Sequence, residues 1–323
     1  MRLPLVFRAA FLLAAVCFVS VGLSAEILRI GTYNVENYLI MDRLVEGRWR
    51  PDYPKPEIDK SALRGVIAAV DPDILALQEM GSKPFLDELQ RDLKREGVDY
   101  PYSYLLEGPD EVRHLAVLSR IPFQEVHEHI DLDFPYRGGR ETIRRGLLEI
   151  VFETGGETWS LFVVHLKSKW TEYPDDPNAE QKRTGEATAA RNRILERYDP
   201  EKGALYLIAG DFNDTRDTPT LRRFLRRGPV TISHIISAVD SHGLNWTQHW
   251  ERQGIYSQFD YLLASPALFE RQLDGQCGIF DGDGADLASD HRLVWADFQF
   301  VSQEAVEVDG EEKGPAALLR RFR

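Results

Sequence analysis

The run Ala204-Leu-Tyr-Leu-Ile-Ala-Gly-Asp-Phe-Asn-Asp214 constrains the fold more than any other stretch of the chain. Residues 204–209 carry no charge and a single hydroxyl, which reads as a short strand buried on both faces. Gly210 then lets the chain bend, and the first polar groups beyond the run are Asp211 and Asn213. In extended backbone, residues two apart share a face, so a carboxylate and an amide would project together from the strand end. Oxygen ligands on a rigid strand end suit a hard cation such as Mg2+. An Asx turn that merely closes the strand accounts for the same residues equally well.

The same arrangement recurs along the chain. Ile27-Leu-Arg-Ile-Gly-Thr-Tyr33 runs into Asn34, and Ile74-Leu-Ala-Leu77 runs into Gln78-Glu79. An apolar stretch over residues 159–166 contains His165, Asp260 stands at the start of the strand expected over 259–263, and Asp290-His291 precede the last strand, 293–300. In that strand Val294, Ala296, Phe298 and Phe300 alternate to one side. Helical spacing of Leu63, Val66, Ile67 and Val70 predicts a helix over about residues 60–70. Phe85, Leu86, Leu89 and Leu93 predict another over about 84–95, and two more are expected near 181–198 and 218–227. Residues 42–57 read as a polar, proline-bearing loop. Strand–helix–strand units thus occur in both halves and each delivers a carboxylate, Glu79 and Asp211. The expected build is α/β: two mixed sheets packed face to face, helices outside, as one domain.

Both ends of the chain stand apart from this pattern. Arg2 and Arg8 precede an apolar run, residues 9–21, followed by Gly22, Ser24 and Ala25. That layout matches a cleaved export signal over residues 1–25, and the run is short for a membrane span of about 20 residues. The expectation is therefore a secreted or periplasmic protein with no stable membrane anchor after cleavage, folded over residues 26–301 and monomeric. Residues 302–323 mix five acids and four bases without periodicity and read as a disordered tail. Cleavage would leave Cys277 as the only thiol and exclude an intramolecular disulfide. The whole chain carries a net charge of −13; without Arg2 and Arg8, 37 basic residues face 52 acidic ones, a charge of −15. Such a chain is no general polyanion binder, so contact with nucleic acid would need local basic patches and metal.

Taken one at a time, Asn34, Glu79, His165, Asp211, Asn213, Asp260 and Asp290-His291 each have an ordinary structural explanation. Together they all adjoin apolar runs, and none sits on a solvated helix face. With the segments Gly31-Thr-Tyr-Asn-Val-Glu-Asn37, Ile74-Leu-Ala-Leu-Gln-Glu79, Leu118-Ser-Arg120, Val164-His-Leu-Lys-Ser-Lys169, Ala209-Gly-Asp-Phe-Asn213, Phe259-Asp-Tyr-Leu-Leu263 and Ala288-Ser-Asp-His291, the chain resembles the endonuclease/exonuclease/phosphatase superfamily of metal-dependent phosphodiesterases. That superfamily includes pancreatic-type DNase, abasic-site endonucleases, bacterial sphingomyelinases and inositol polyphosphate phosphatases. The resemblance spans most of the chain beyond the export signal and implies a four-layer α/β sandwich, DNase I-like.

The resemblance also implies roles. Glu79 would be the principal ligand of Mg2+ or Mn2+, with Asn34 and Asp290 close by. Asp211 and Asn213 would orient the attacking water and the phosphate, or hold a second metal. Asp260 would fix the tautomer of His291, which would activate or orient water or bind a phosphate oxygen. His165 would protonate or stabilise the leaving oxygen.

Lys167 and Lys169 follow His165 at alternate positions, so the three would share a strand face, as phosphate contacts or as a solvated strand end. Arg145, in the cluster Arg137, Arg140, Arg144 and Arg145, is a further candidate for binding substrate. Trp246 and Trp250 can offer stacking faces to bases or a lipid headgroup, or pack into the core. The expected activity is a secreted phosphodiesterase acting on DNA or RNA. The alternatives are a phospholipid, sphingomyelin or small-molecule phosphodiesterase, or a non-catalytic binding module. A lipid-directed enzyme would be expected to show an exposed aromatic hairpin, and no such run stands out in the sequence.

Overall fold

Strand Ile74–Met80 shows how the apolar runs are used. Ile74 and Ala76 pack into a core with Leu148, Leu161, Val163 and Leu207, whereas Leu75 and Leu77 pack with Leu63, Ile67, Leu86 and Leu89 of two helices. Strand Tyr206–Asp211 mirrors it: Leu207 and Ala209 face the first core, and Tyr206 and Ile208 meet Ala190, Ile194, Leu221 and Phe224. Period-2 alternation thus fills three apolar layers, and each large aliphatic side chain withdrawn from water contributes roughly 1.5–3 kcal/mol.

The computed structural model describes residues 21–305, with side chains described for residues 25–301. Apart from the backbone at its inner edges, the export signal and the tail read from the sequence lie outside the described residues. One sheet has the strand order Gln272–Ile279, Val294–Ala305, Val21–Tyr38, Ile74–Met80, His114–Ser119, Tyr102–Leu106. The other has the order His234–Ile235, Asp260–Ala264, Tyr206–Asp211, Glu157–His165, Leu147–Thr154, Glu125–His129. Each contains one parallel pair, Val21–Tyr38 with Ile74–Met80 and Glu157–His165 with Tyr206–Asp211; the other neighbours are antiparallel. Helices α1 (Glu57–Val70) and α2 (Lys83–Arg95) cover the first sheet, and α3 (Glu180–Arg197) and α4 (Pro219–Leu225) cover the second. The result is the four-layer sandwich of two mixed sheets. Among the described residues no helix is long and apolar enough to cross a membrane.

Two departures from the sequence reading have simple causes. The segment read as a polar loop is a hairpin, Ile40–Val45 with Arg48–Pro54, closed at Glu46 and Gly47, both at positive φ. The edge strands Tyr102–Leu106 and Gln272–Ile279 were not expected, because a half-exposed edge lacks the continuous apolar run that marks an inner strand.

Gly210 is needed where it stands. Its φ is +145°, and a Cβ there would come within 2.0 Å of the Val164 carbonyl oxygen on the neighbouring strand.

Candidate active site

The second sheet ends in register at the site. His165 pairs with Asp211 and Asp211 pairs with Asp260, so three functional side chains stand on three adjacent strands, at the last residue of two and the first of the third. Asn213 reaches Asp211 differently from the expected alternation. Its φ is +51°, and the chain closes an Asx turn in which Asn213 N donates to Asp211 Oδ1 at 2.8 Å and Asn213 Nδ2 to Oδ2 at 3.2 Å. The turn and the functional pair are therefore one feature.

The first sheet arrives by breaking its ladders. Register shifts occur between Asn34 and Tyr38 and between Leu77 and Met80, and Glu79 sits at φ +63°. Simple alternation would send Glu79 after Leu75 and Leu77 towards the helices; the bulge re-aims it into the cleft. There Glu79 Oε1 lies 3.9 Å from His165 Nε2, and Oε2 accepts from Asn37 N at 3.0 Å.

Asp211 Oδ2 is the meeting point of both sheets. Asn34 Nδ2 donates to it at 3.0 Å, and His165 Nε2 and His291 Nε2 stand 3.6 and 3.9 Å away. His291 Nδ1 donates to Asp260 Oδ2 at 2.8 Å, which orients the ring so that Nε2 faces Asp211. Asp290 is exposed at the mouth, and Gln248 Nε2 donates to its Oδ2 at 3.2 Å.

Burial, with Asp260 adding to it, pushes the Asp211 carboxyl up to about 7, against the opposing pull of His291. Burial alone would lower His291, but the carboxylates of Asp260, Asp290 and Asp211 outweigh it and hold this imidazole well above its usual range. Burial holds His165 well below its usual range, helped by Arg145, His291, Arg113 and Lys167. His165 is therefore a neutral imidazole, suited to hydrogen bonding rather than to carrying charge.

The donor set fits a hard divalent cation. Asp211, Asp260 and His291 each bring a ligand atom within 4.8 Å of one another, but Asp260 and His291 are already bonded to each other. Glu79 and Asp290 each keep a carboxylate oxygen that no hydrogen bond from the described residues reaches. Such oxygens suit Mg2+ or Mn2+ better than a soft metal, while the Asn34 amide spans Asp211 Oδ2 and Glu36 N.

Glu79, His165, Asp211, Asn213, Asp290 and His291 all line one cleft of about 1040 Å3, as do Arg113, Arg144, Arg145, Lys167 and Lys169. The lysines get there by another route than the one expected. The strand stops at His165, so the three share no strand face. Instead Lys167 Nζ donates to Ser168 Oγ at 3.1 Å, and Lys169 Nζ lies 4.6 Å from the Phe259 ring. Buried Arg145 pairs with Asp110, Nε to Oδ2 at 3.2 Å, and its Nη1 has no hydrogen-bond partner. An acidic chain thus concentrates five cations along one cleft.

Several positioning residues were not singled out from the sequence. From α3, Glu186 accepts the Lys167 backbone N–H at 2.7 Å, and Arg183 donates to the Lys167 carbonyl at 3.1 Å. Thr247 Oγ1 accepts from Phe259 N and Asp260 N, at 2.9 and 3.0 Å. Ser289 Oγ donates to the Asn34 carbonyl at 2.8 Å and accepts from His291 N at 3.0 Å, fastening the histidine loop to the adjacent strand of its own sheet. Only the α3 pair left a signal: two charges on the buried stripe that continues through Ala187, Ala190 and Ile194.

The structure also builds the aromatic hairpin that the sequence did not show. Strands Gln248–Trp250 and Ile255–Ser257 pair beside the cleft, with Trp250, Ile255 and Tyr256 exposed. Trp246 is partly buried under the Arg292 guanidinium, 3.2 Å from the ring centroid.

A family model described as the endonuclease/exonuclease/phosphatase family matches residues 31–291. No curated protein matches the chain. Among solved structures it is similar to the human Nocturnin catalytic domain with bound sulfate, at 16% identity and a TM-score of 0.59, covering 87% of this chain and 98% of that one. It is similar to a humanized D. rerio TDP2, at 18% identity and a TM-score of 0.57, covering 84% and 98%. Staphylococcus aureus beta toxin 275-280 gives 16% identity and a TM-score of 0.57, covering 83% and 99%. At these identities the likeness establishes the fold.

Proposed function

Because the chain belongs to the endonuclease/exonuclease/phosphatase family, we propose that it is an exported, Mg2+- or Mn2+-dependent phosphodiesterase that hydrolyses nucleic acid. The observation that carries this reading is the convergence on Asp211 Oδ2 of Asn34 from one sheet and of His165 and His291 beside the other, with Glu79 alongside. Glu79, Asn34 and Asp290 would hold the metal, which supplies Lewis-acid polarisation of the phosphoryl group and neutralises its charge.

The protein groups do the rest by position. Asp260 holds the His291 Nδ1 proton, so His291 Nε2 and Asp211 Oδ2 together face the attacking water. Asp211 Oδ2, buried and held by Asn34 and Asn213, is placed to take up the proton of that water. Neutral His165 presents Nε2 to the leaving oxygen as a hydrogen-bond donor. Asn213, held by Leu166 O at 3.0 Å, fixes the angle of Asp211. The five cations lining the cleft favour a substrate with several phosphates over one with a single diester.

One observation favours a second reading. The exposed Trp250–Tyr256 hairpin beside the cleft is a feature a lipid-directed phosphodiesterase would use. The purified protein without its export signal, assayed against DNA, RNA, sphingomyelin vesicles and bis-p-nitrophenyl phosphate, separates the two. Cleavage of DNA or RNA with no turnover of vesicles is the expected result. Turnover of vesicles alone would replace the nuclease reading with the lipid one.

A further inference from the structure

The cleft holds more than a reaction centre. Its volume of about 1040 Å3 lies at the upper end of the roughly 300–1000 Å3 that encloses a small molecule. A single phosphodiester leaves most of that space empty.

Its rim is aromatic in a selective way. Of the six tryptophans in the chain, Trp49, Trp170 and Trp250 are exposed, and two of these three line this cleft. The Asp211 strand lies between the His165 strand and the Asp260 strand. Trp170 ends the segment leaving His165, while Trp250 belongs to the hairpin whose Gln248 bridges to His291.

Cations interleave with these rings. Lys167 Nζ lies 5.6 Å from the Trp170 ring centroid, and Arg144 and Arg145 line the same cleft. The other hairpin aromatics are already engaged. Tyr256 is stacked on His249 at 4.1 Å with an interplanar angle of 2°, and Trp246 carries the Arg292 guanidinium. Here only Trp170 and Trp250 offer faces to a ligand in the cleft.

Resting on the phosphodiesterase reading, we propose that the substrate is a single-stranded nucleic acid whose bases next to the scissile phosphate stack on Trp170 and Trp250. Neighbouring phosphates then meet Arg144, Arg145 and Lys167, satisfying the unpartnered Nη1 of Arg145. Alternating cations and aromatic faces are the physical requirement for holding a single strand, because every base has a π-face and every linkage a charge. A duplex keeps its bases stacked on one another and offers none to the indoles. A phosphocholine headgroup sets its quaternary ammonium against an indole, but it brings a single diester and leaves most of the five cations without a phosphate.

The test measures binding and kinetics separately. In excess EDTA, anisotropy of a fluorescent 12-nucleotide thymidine strand reads binding without cleavage. Trp170→Ala and Trp250→Ala should each weaken it by roughly 5- to 100-fold, the scale of one base–aromatic stack, while Trp170→Phe and Trp250→Phe retain most of the affinity. With metal, the KM for the strand should rise by the same factor and kcat should move much less. Binding of a duplex of equal length should respond little to either substitution.

Unchanged single-strand binding in both alanine variants overturns the proposal, as does an equal loss for duplex and single strand. So does a loss of sphingomyelin turnover with strand binding intact, which assigns the indoles to lipid. If the native protein hydrolyses no phosphodiester with any metal yet strand binding falls as expected, the phosphodiesterase reading fails alone. If cleavage proceeds and binding ignores both indoles, the stacking inference fails alone.

Discussion

The two sheets feed one cleft by different means. In the second sheet His165, Asp211 and Asp260 stand opposite one another in unbroken register, and Gly210 keeps the two parallel strands close enough for this. In the first, Glu36, Asn37 and Glu79 all have positive φ, and both ladders of the Ile74–Met80 strand shift at Glu79. A non-glycine residue held there costs on the order of 1 kcal/mol or more, which the packed layer beneath must supply. The regular side holds His165, Asp211 and Asp260, and through Asp260 it orients His291, which arrives on the loop ahead of Val294–Ala305 in the first sheet. The strained side aims a carboxylate that plain alternation would bury under α1 and α2.

The contrast is open to test, beginning with the largest effect. Gly210→Ala places a methyl group against the Val164 carbonyl and should lower unfolding stability by about 3 kcal/mol or more in a denaturant titration. A near-native midpoint would mean that the two strands can separate without cost and that register does not depend on Gly210.

His291→Ala and His165→Ala should each reduce turnover by roughly 100-fold, the scale of acid–base assistance by a positioned side chain, with native-like melting. A variant with near-normal turnover removes that histidine from the reaction. Thr247→Val acts one step back. It leaves the Phe259 and Asp260 backbone N–H groups without their acceptor, which should cost about 1–3 kcal/mol in stability. Turnover should fall by about 10-fold as Asp260 loosens its hold on His291.

How much of this was legible depends on the same contrast. Glu79, Asp211 and Asp260 each adjoin an apolar run that any reader can see, and alternation places their strands correctly. What alternation does not carry is backbone conformation. It sends Glu79 to the wrong face and treats Asn213 as extended, when a left-handed φ aims each of them. Thr247 and Ser289 were invisible for another reason: each works through a backbone group distant in sequence. The Gln248–Trp250 and Ile255–Ser257 hairpin was hidden because three-residue strands leave no periodicity to detect.

The smallest effect concerns the lysines just past the regular strand. Burial, with Arg145 close by, pushes the Lys167 ammonium down to about 8, so its charge is present below that pH and lost above it. The KM for a polynucleotide should therefore rise several-fold between pH 7 and pH 9, and Lys167→Arg should flatten the rise. A pH-independent KM in the native protein would place Lys167 outside the substrate's phosphate path.

The central claim is that Glu79 and Asp211, brought from two sheets, serve a metal-dependent hydrolysis. It is tested most directly by following bis-p-nitrophenyl phosphate hydrolysis after exhaustive chelation and during stepwise return of Mg2+ or Mn2+, in the native protein and in Glu79→Gln. The account predicts no turnover in the chelated protein, saturable recovery with added metal, and recovery in Glu79→Gln that is strongly reduced and shifted to higher metal concentration. Hydrolysis that persists in the chelated protein with no bound metal detected, or a Glu79→Gln titration that overlays the native one, would contradict it.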